Sequence, residues 1–92
     1  MRRIDLSKQA IGFLRDLGDK QARRIAEKLA QLKEDAEAPP SEQLRGYAPM
    51  RRLRAGEYRV VFTIEDDLIK IVLIGKRNDD EIYKLLERVQ KK

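Results

Sequence analysis

The stretch RRLRAGEYRVVFTIEDDLIKIVLIGKRNDDEIY, residues 51–83, decides the fold. Two runs rich in β-branched and aromatic residues, 57–65 and 68–76, predict strands, and Asp66-Asp67 between them predicts a tight reversal. A shorter strand, residues 50–54, precedes them across Ala55-Gly56. Because short reversals join consecutive strands side by side, this stretch predicts an antiparallel meander.

Outside this stretch, apolar residues repeat every three to four positions, which predicts helices. Ser7 is placed to cap a first helix, and Gly18 is placed to end it in a left-handed conformation before Asp19 caps a second helix. Pro39-Pro40 stops the second helix, because proline lacks the amide donor that a helix needs to continue. Asn78 is placed to cap a last helix. The inward positions of that helix are Ile82, Leu85, Leu86 and Val89.

With residues 2–6 as a marginal edge strand and residues 43–49 as a loop, the predicted order is β-α-α-β-β-β-α. The expected fold class is α+β: a small antiparallel sheet with an N-terminal αα-hairpin and a C-terminal helix, all helices on one face. Ninety-two residues with 41% apolar content suffice for one small core. We therefore expect residues 1–92 to form a single domain.

The charge balance favours an anionic partner. The chain has 21 lysine and arginine residues against 16 acidic residues, a net charge of +5. This excess favours nucleic acid, ribosomes or an acidic protein. No cysteine and no histidine occur, which excludes disulfides, thiol chemistry and a histidine relay.

Two further expectations concern metals and membranes. A metal site of carboxylates alone is left open by the composition, but helix capping explains the acidic residues 79–81 better, and no metal or other cofactor is expected. No apolar run reaches the roughly 18 residues that a spanning helix needs. A soluble cytoplasmic protein without a membrane partner is expected, since the N-terminus is amphipathic and lacks the apolar region of a signal peptide.

Strand alternation divides the side chains of the meander between two faces. Arg52 and Arg54 share one face with Met50, and Arg51 lies on the other. In the next strand Arg59 lies on the open face if its neighbours are buried beneath the helices. Those neighbours are Tyr58, Val60, Phe62 and Ile64.

Antiparallel pairing is expected to bring Arg52, Arg59 and Arg77 to one side of the sheet, with Tyr83 on the helix that follows. Several guanidinium groups and one phenol suit the gripping or cleavage of a phosphodiester. Ordinary structural roles remain open: arginines at strand ends can be solubilising charges, and Tyr83 can border the core. Tyr47, in the loop, is expected either to fix the loop or to stack on a base.

Three fragments in this order resemble the RelE/ParE superfamily of toxins from bacterial and archaeal toxin–antitoxin pairs. They are LRGY at 44–47, RLRAGEYRVVF at 52–62 and GKRNDDEIYK at 75–84. The resemblance covers nearly the whole chain and implies the RelE-like, microbial-RNase-like fold. It also implies one of two activities. RelE-type members bind the ribosomal A site and cut mRNA there, whereas ParE-type members poison DNA gyrase and typically lack the cleavage residues.

The resemblance implies a role for each matched position. Arg59 and Arg77 fall where RelE-type enzymes keep arginines that contact the scissile phosphate, and Tyr83 falls on the tyrosine usually assigned as general base. Arg52 falls where the best-studied members have a lysine, and we assign it to protonation of the leaving group. A second family lysine aligns with Met50, a departure that bears on the cleavage rate.

Two further sets of basic residues are candidates for RNA binding. Additional contacts to RNA phosphates are expected from Arg51, Arg54 and Lys76. Two roles are open for Arg23, Arg24 and Lys28: docking on ribosomal RNA by a basic helical surface, as in family members, or simple solvation of the helix.

The expected function is that of a toxin that cleaves mRNA on the ribosome. RNA supplies its own nucleophile, the 2′-hydroxyl, so attack without a metal gives a 2′,3′-cyclic phosphate and a 5′-hydroxyl. The expected partners are a cognate antitoxin, the A site of the 30S subunit and mRNA. Two alternatives stay open: a gyrase inhibitor of the ParE type without nuclease activity, and a basic RNA- or ribosome-binding module without cleavage.

Overall fold

The computed structural model describes residues 2–90, with the side chains of 79, 89 and 90 excepted. The α+β class is confirmed. The elements in chain order are β1 (Arg3–Leu6), α1 (Lys8–Asp16), α2 (Asp19–Glu34), β2 (Ser41–Gln43), β3 (Arg51–Ala55), β4 (Tyr58–Glu65), β5 (Leu68–Lys76) and α3 (Asp79–Gln90). The order contains one strand more than predicted, since Gln43, expected in a loop, belongs to β2. Within the described range, no helix is long and apolar enough to cross a membrane.

The strands form one five-stranded sheet in the order β1-β5-β4-β3-β2. The predicted meander is confirmed, because β3, β4 and β5 pair antiparallel in succession. The expectation of a wholly antiparallel sheet is wrong at its edge, where β1 pairs parallel with β5. The chain leaves β1 through α1 and α2, crosses one face of the sheet and re-enters at the opposite edge, so the direction of β1 is independent of the hairpins.

Helices α1 and α2 cover the first face of the sheet. Their core cluster includes Ile25, Leu32, Val60 and Phe62. Tyr58 packs against this cluster, with its ring 5.8 Å from that of Phe13 in an edge-on arrangement. Burial of the predicted face is therefore confirmed along most of β4, but not for the fourth predicted residue. Ile64 is 37% exposed, since it lies near the far end of β4 outside this core cluster.

The junction of α1 and α2 was predicted only in part. The Ser7 cap is confirmed, because its Oγ accepts a hydrogen bond of 3.1 Å from the Ala10 amide. The left-handed cap at Gly18 is wrong: Gly18 has φ −63° and is itself the N-cap residue of α2, with Asp19 as the first helical residue. An extended Leu17, whose amide bonds to Leu14, already ends α1.

Helix α3 covers the second face, so the expectation that all helices share one face is wrong. Its buried residues Ile82 and Leu86 pack with Val61 and Leu73 of the sheet. The physical reason is that β4 and β5 carry apolar side chains on both faces, and each face must be covered to remove them from water. The cap predicted at Asn78 is confirmed, since its Oδ1 accepts from the Asp80 amide at 3.0 Å.

A glycine lets α3 approach the sheet closely. A Cβ atom at Gly75 would lie 2.9 Å from Cδ1 of Ile82 and 3.4 Å from Cδ1 of Leu85. The first of these distances is below van der Waals contact, so with a larger residue the end of the buried Ile82 side chain, or the helix that carries it, would have to move. Position 75 therefore sets how near α3 lies to the sheet. The inward position predicted for Val89 lies outside the described side chains.

Candidate active site

Arg54 and Arg59 are directly opposite each other on β3 and β4. Arg59 is in turn opposite Gly75, whose missing Cβ would point at α3, so all three residues lie on the α3 face of the sheet. Nη1 of Arg59 donates to the carbonyl oxygens of Gly56 at 3.1 Å and Tyr58 at 2.9 Å. These bonds tie the half-buried Arg59 to the β3–β4 turn, while Arg54 is exposed.

Arg52 lies on the same face. Its partner on β4 is Val61, a member of the core cluster beneath α3. Its partner on β2 is Glu42, and Nη2 of Arg52 donates to Oε2 of Glu42 at 3.1 Å. The side chain of Arg52 is only 15% exposed, whereas that of Glu42 is 67% exposed. This cross-strand ion pair was not foreseen, because β2 is too short and too polar to be predicted from periodicity.

An open groove of about 520 Å³ lies beside this pair. We call it the basic groove; its lining residues are Lys28, Pro40, Ser41, Glu42, Arg52 and Arg54. The groove unites Arg52 and Arg54, expected at the cleavage site, with Lys28, expected at a separate docking surface. The tertiary structure therefore assigns one of the three helical basic residues to the neighbourhood of the candidate site.

Arg77 lies just past the end of β5, beside the β3–β4 turn. Its amide donates to the carbonyl oxygen of Glu57 at 2.9 Å. Because Gly75, two residues earlier, is opposite Arg59, Arg77 lies at the same end of the sheet as Arg59. Lys76 is opposite Tyr58 and so belongs to the α1–α2 face. Lys76 and Arg77 are exposed and line an open cavity of about 250 Å³.

Tyr83 of α3 pairs with Tyr47. Their ring centroids are 5.6 Å apart and their planes are inclined by 41°. Both half-buried rings pack against the core cluster beneath α3, as does Met50. Met50, which the resemblance aligns with a family lysine, is therefore a packed apolar side chain.

The loop that carries Tyr47 is closed by its own backbone. Three amides donate to backbone carbonyl oxygens within the loop: Leu44 to Met50 at 2.9 Å, Met50 to Tyr47 at 2.8 Å and Tyr47 to Leu44 at 3.2 Å. Leu44 is buried in the cluster beneath α3, which anchors the loop to the core. Tyr47 is therefore held in a fixed place against Tyr83 rather than on a free loop.

The remaining predicted RNA-binding residues lie elsewhere. Arg51 is opposite Phe62 on the α1–α2 face, as alternation predicted, and its Nε donates to Oγ of Ser41 at 2.8 Å. Arg23 and Arg24 are exposed on α2. The Cδ atom of Arg24 lies 3.1 Å from the point that a Cβ atom would occupy at Gly56, so this side chain lies over the β3–β4 turn.

Residues 4–81 match the family described as the ParE toxin of type II toxin–antitoxin systems, parDE. The chain therefore belongs to this family of the RelE/ParE superfamily. The superfamily inferred from the three sequence fragments is confirmed. No curated protein matches the chain.

Solved structures of RelE toxins have the same fold. The RelE–RelB complex of the archaeon Pyrococcus horikoshii OT3 contains a chain 27% identical, with a TM-score of 0.71 over 84% of this chain and 96% of that chain. A mutant of the Escherichia coli toxin RelE in the free state is 26% identical, with a TM-score of 0.72 over 95% and 96%. The intact Escherichia coli RelBE toxin–antitoxin complex contains a chain that is 25% identical, with a TM-score of 0.69 over 85% of this chain and 99% of that chain.

Proposed function

We propose that this toxin is a ribosome-dependent mRNA endonuclease. The observation that carries the proposal is the grouping of Arg52, Arg54 and Arg59 on the sheet face that also receives the helix of Tyr83. Because Arg54 and Arg59 are directly opposite each other on neighbouring strands, they concentrate positive charge on this face, which suits an anionic ligand. The resemblance to RelE-type enzymes at Arg77 and Tyr83 supports the same activity.

In the proposed reaction the RNA provides the nucleophile. The 2′-oxygen forms a bond to phosphorus as its proton passes to the phenolate oxygen of Tyr83, and the bond from phosphorus to the 5′-oxygen breaks. Arg59 and Arg77 hold the non-bridging oxygens, where negative charge accumulates in the transition state. Arg52 delivers a proton to the departing 5′-oxygen. The products are a 2′,3′-cyclic phosphate and a 5′-hydroxyl.

The proposed partners are mRNA in the A site of the 30S subunit and a protein antitoxin. The solved relatives include RelE–RelB and RelBE complexes, which supports an antitoxin for this chain. An acidic segment of the antitoxin would neutralise the arginines of the α3 face and block RNA. Arg23 and Arg24, exposed on α2, are the proposed contacts to ribosomal RNA.

Primer extension tests the activity. The protein is added to an mRNA held in programmed ribosomes and, in parallel, to the same mRNA without ribosomes. We expect cuts within the A-site codon only when ribosomes are present, each leaving a 2′,3′-cyclic phosphate. Arg77→Ala should abolish them. Arg15→Ala, which removes an exposed arginine from α1, should leave them unchanged. A folded, antitoxin-free preparation that makes no cuts would refute the proposal.

Gyrase inhibition is the second candidate function. The description of the matching family and the packed Met50 at a family lysine position favour it. A supercoiling assay with purified gyrase distinguishes the two functions. Inhibition of supercoiling that persists in Arg77→Ala, together with the absence of mRNA cuts, would establish a binding toxin without nuclease activity.

A further inference from the structure

The basic groove combines residues from three consecutive elements of the chain. Lys28 comes from α2, Glu42 from β2, and Arg52 and Arg54 from β3. Its volume of about 520 Å³ lies within the range of roughly 300–1,000 Å³ typical of small-ligand sites. The groove is open to solvent, as a site for a polymer must be.

The charges of the groove select an anion. Three cationic side chains and one carboxylate line it, which leaves an excess of positive charge. Lys28 is half-buried, unlike the exposed Arg23 and Arg24 on the same helix, so part of this residue lies against the protein. A half-buried lysine that lines the same groove as two arginines is suited to a chain of phosphates.

We propose that the basic groove binds the sugar–phosphate backbone of the substrate RNA next to the scissile phosphate, with Lys28 contacting a neighbouring phosphate. This inference rests on the proposed function and extends it, because it moves Lys28 from a ribosomal docking surface to the path of the substrate strand. The continuity of the groove from Lys28 to Arg52 carries the argument.

Glu42 has a second role in this proposal: it competes with RNA for Arg52. The 3.1 Å ion pair holds one nitrogen of the Arg52 guanidinium group, and the exposed carboxylate repels an incoming phosphate. In this proposal, binding of the RNA strand turns Glu42 away from Arg52. Removal of the charge at position 42 should strengthen RNA binding.

The probe is a single-stranded 2′-O-methyl RNA of roughly ten nucleotides, which cannot be cleaved and spans a typical single-strand site. Its affinity for the whole chain is measured by fluorescence anisotropy over a series of salt concentrations. Lys28→Gln should weaken binding about threefold or more and reduce the slope of log K against log salt by about 0.7. Lys33→Gln, an exposed position on the same helix, is the matched control and should change neither value. Glu42→Gln should strengthen binding about twofold or more.

Each contrary outcome has a distinct meaning. Equal effects of Lys28→Gln and Lys33→Gln on the affinity for the oligonucleotide would overturn the assignment of Lys28. A loss of binding by Lys28→Gln that is seen only with intact ribosomes would also overturn it, because it would place Lys28 on ribosomal RNA. Unchanged or weaker binding by Glu42→Gln would overturn the competition. Arg52→Gln separates this inference from the proposed function. If it leaves oligonucleotide binding intact, the basic groove fails as the RNA site, whereas the nuclease itself stands or falls with the primer-extension assay; if it alone weakens binding, only the extension to Lys28 fails.

Discussion

The ring of Tyr47 lies 5.6 Å from the ring of Tyr83, measured between centroids, at an inclination of 41°. Tyr47 is held by a loop that closes on itself through three backbone hydrogen bonds, and Tyr83 is carried by α3. A half-buried ring turns only as far as its neighbours allow. Tyr47 therefore restricts the place of the Tyr83 hydroxyl, which is the proposed base.

Tyr47→Leu is expected to lower kcat for cleavage in ribosomes by about ten- to hundredfold and to leave KM nearly unchanged, because the base is misplaced while RNA contacts remain. Tyr47→Phe retains the ring and should behave like the parent protein. Single-turnover rates at several mRNA concentrations separate the two constants. A rise in KM alone would instead indicate that Tyr47 stacks on a base.

Tyr83→Phe removes one hydroxyl and keeps the packing of the ring. We expect cleavage to fall by at least about a hundredfold, the typical contribution of a general base, with the free energy of unfolding within about 0.5 kcal/mol of the parent value. Tyr58→Phe, on the opposite face beside Phe13, is the control and should keep full activity. An unchanged rate in Tyr83→Phe would exclude Tyr83 as the base.

Arg54→Thr is expected to stabilise the fold while weakening RNA binding. Removal of one of two like charges that are opposite each other should raise the free energy of unfolding by about 0.2–1 kcal/mol. Urea denaturation at low and high salt measures this gain, which should shrink in high salt because ions screen the repulsion. Arg51→Thr, which loses the bonds to Ser41, should destabilise the fold. A loss of stability in Arg54→Thr would show that the charge repulsion is not significant.

Gly75→Ala is expected to lower both stability and cleavage. The added methyl group would meet Ile82 at 2.9 Å and displace α3, at a cost of about 1–3 kcal/mol typical of overpacking. Since α3 carries Tyr83, kcat should fall as well. Gly12→Ala is the matched control: the nearest atom is 3.7 Å away, and alanine in a helix should stabilise the fold by about 0.5–1 kcal/mol. Full activity in Gly75→Ala would show that α3 tolerates the shift.

Features that depend on neighbours in the chain were predictable. Ser7 caps α1 as expected, because capping involves residues only three positions apart. The meander followed from its short reversals. The separation of Arg51 from Arg52 and Arg54 followed from the two-residue period of a strand, which holds whatever the strand packs against. Gly18 shows the limit of such local rules, because an extended Leu17 ended the helix in its place.

The candidate site was predictable only in part. The three fragments shared with the superfamily named Arg52, Arg59, Arg77 and Tyr83 as a set. They contained no sign of Glu42, which lies in a polar strand of three residues without periodicity. The convergence of Lys28 with Arg52 was equally hidden, since 24 positions separate them in the chain.

The strand and helix segments other than β2, the alternation of side chains and the family could be derived from the sequence, because these follow from local periodicity, turn residues and motif spacing. The tertiary structure alone decided that β1 runs parallel to β5, that α3 covers the second face, and that Tyr47 meets Tyr83. Apolar residues such as Val61 and Leu73 require a cover, but the hydrophobic effect has no direction and does not specify which helix provides it. That choice is made by the packing of the whole chain, and it determines which side chains form the site.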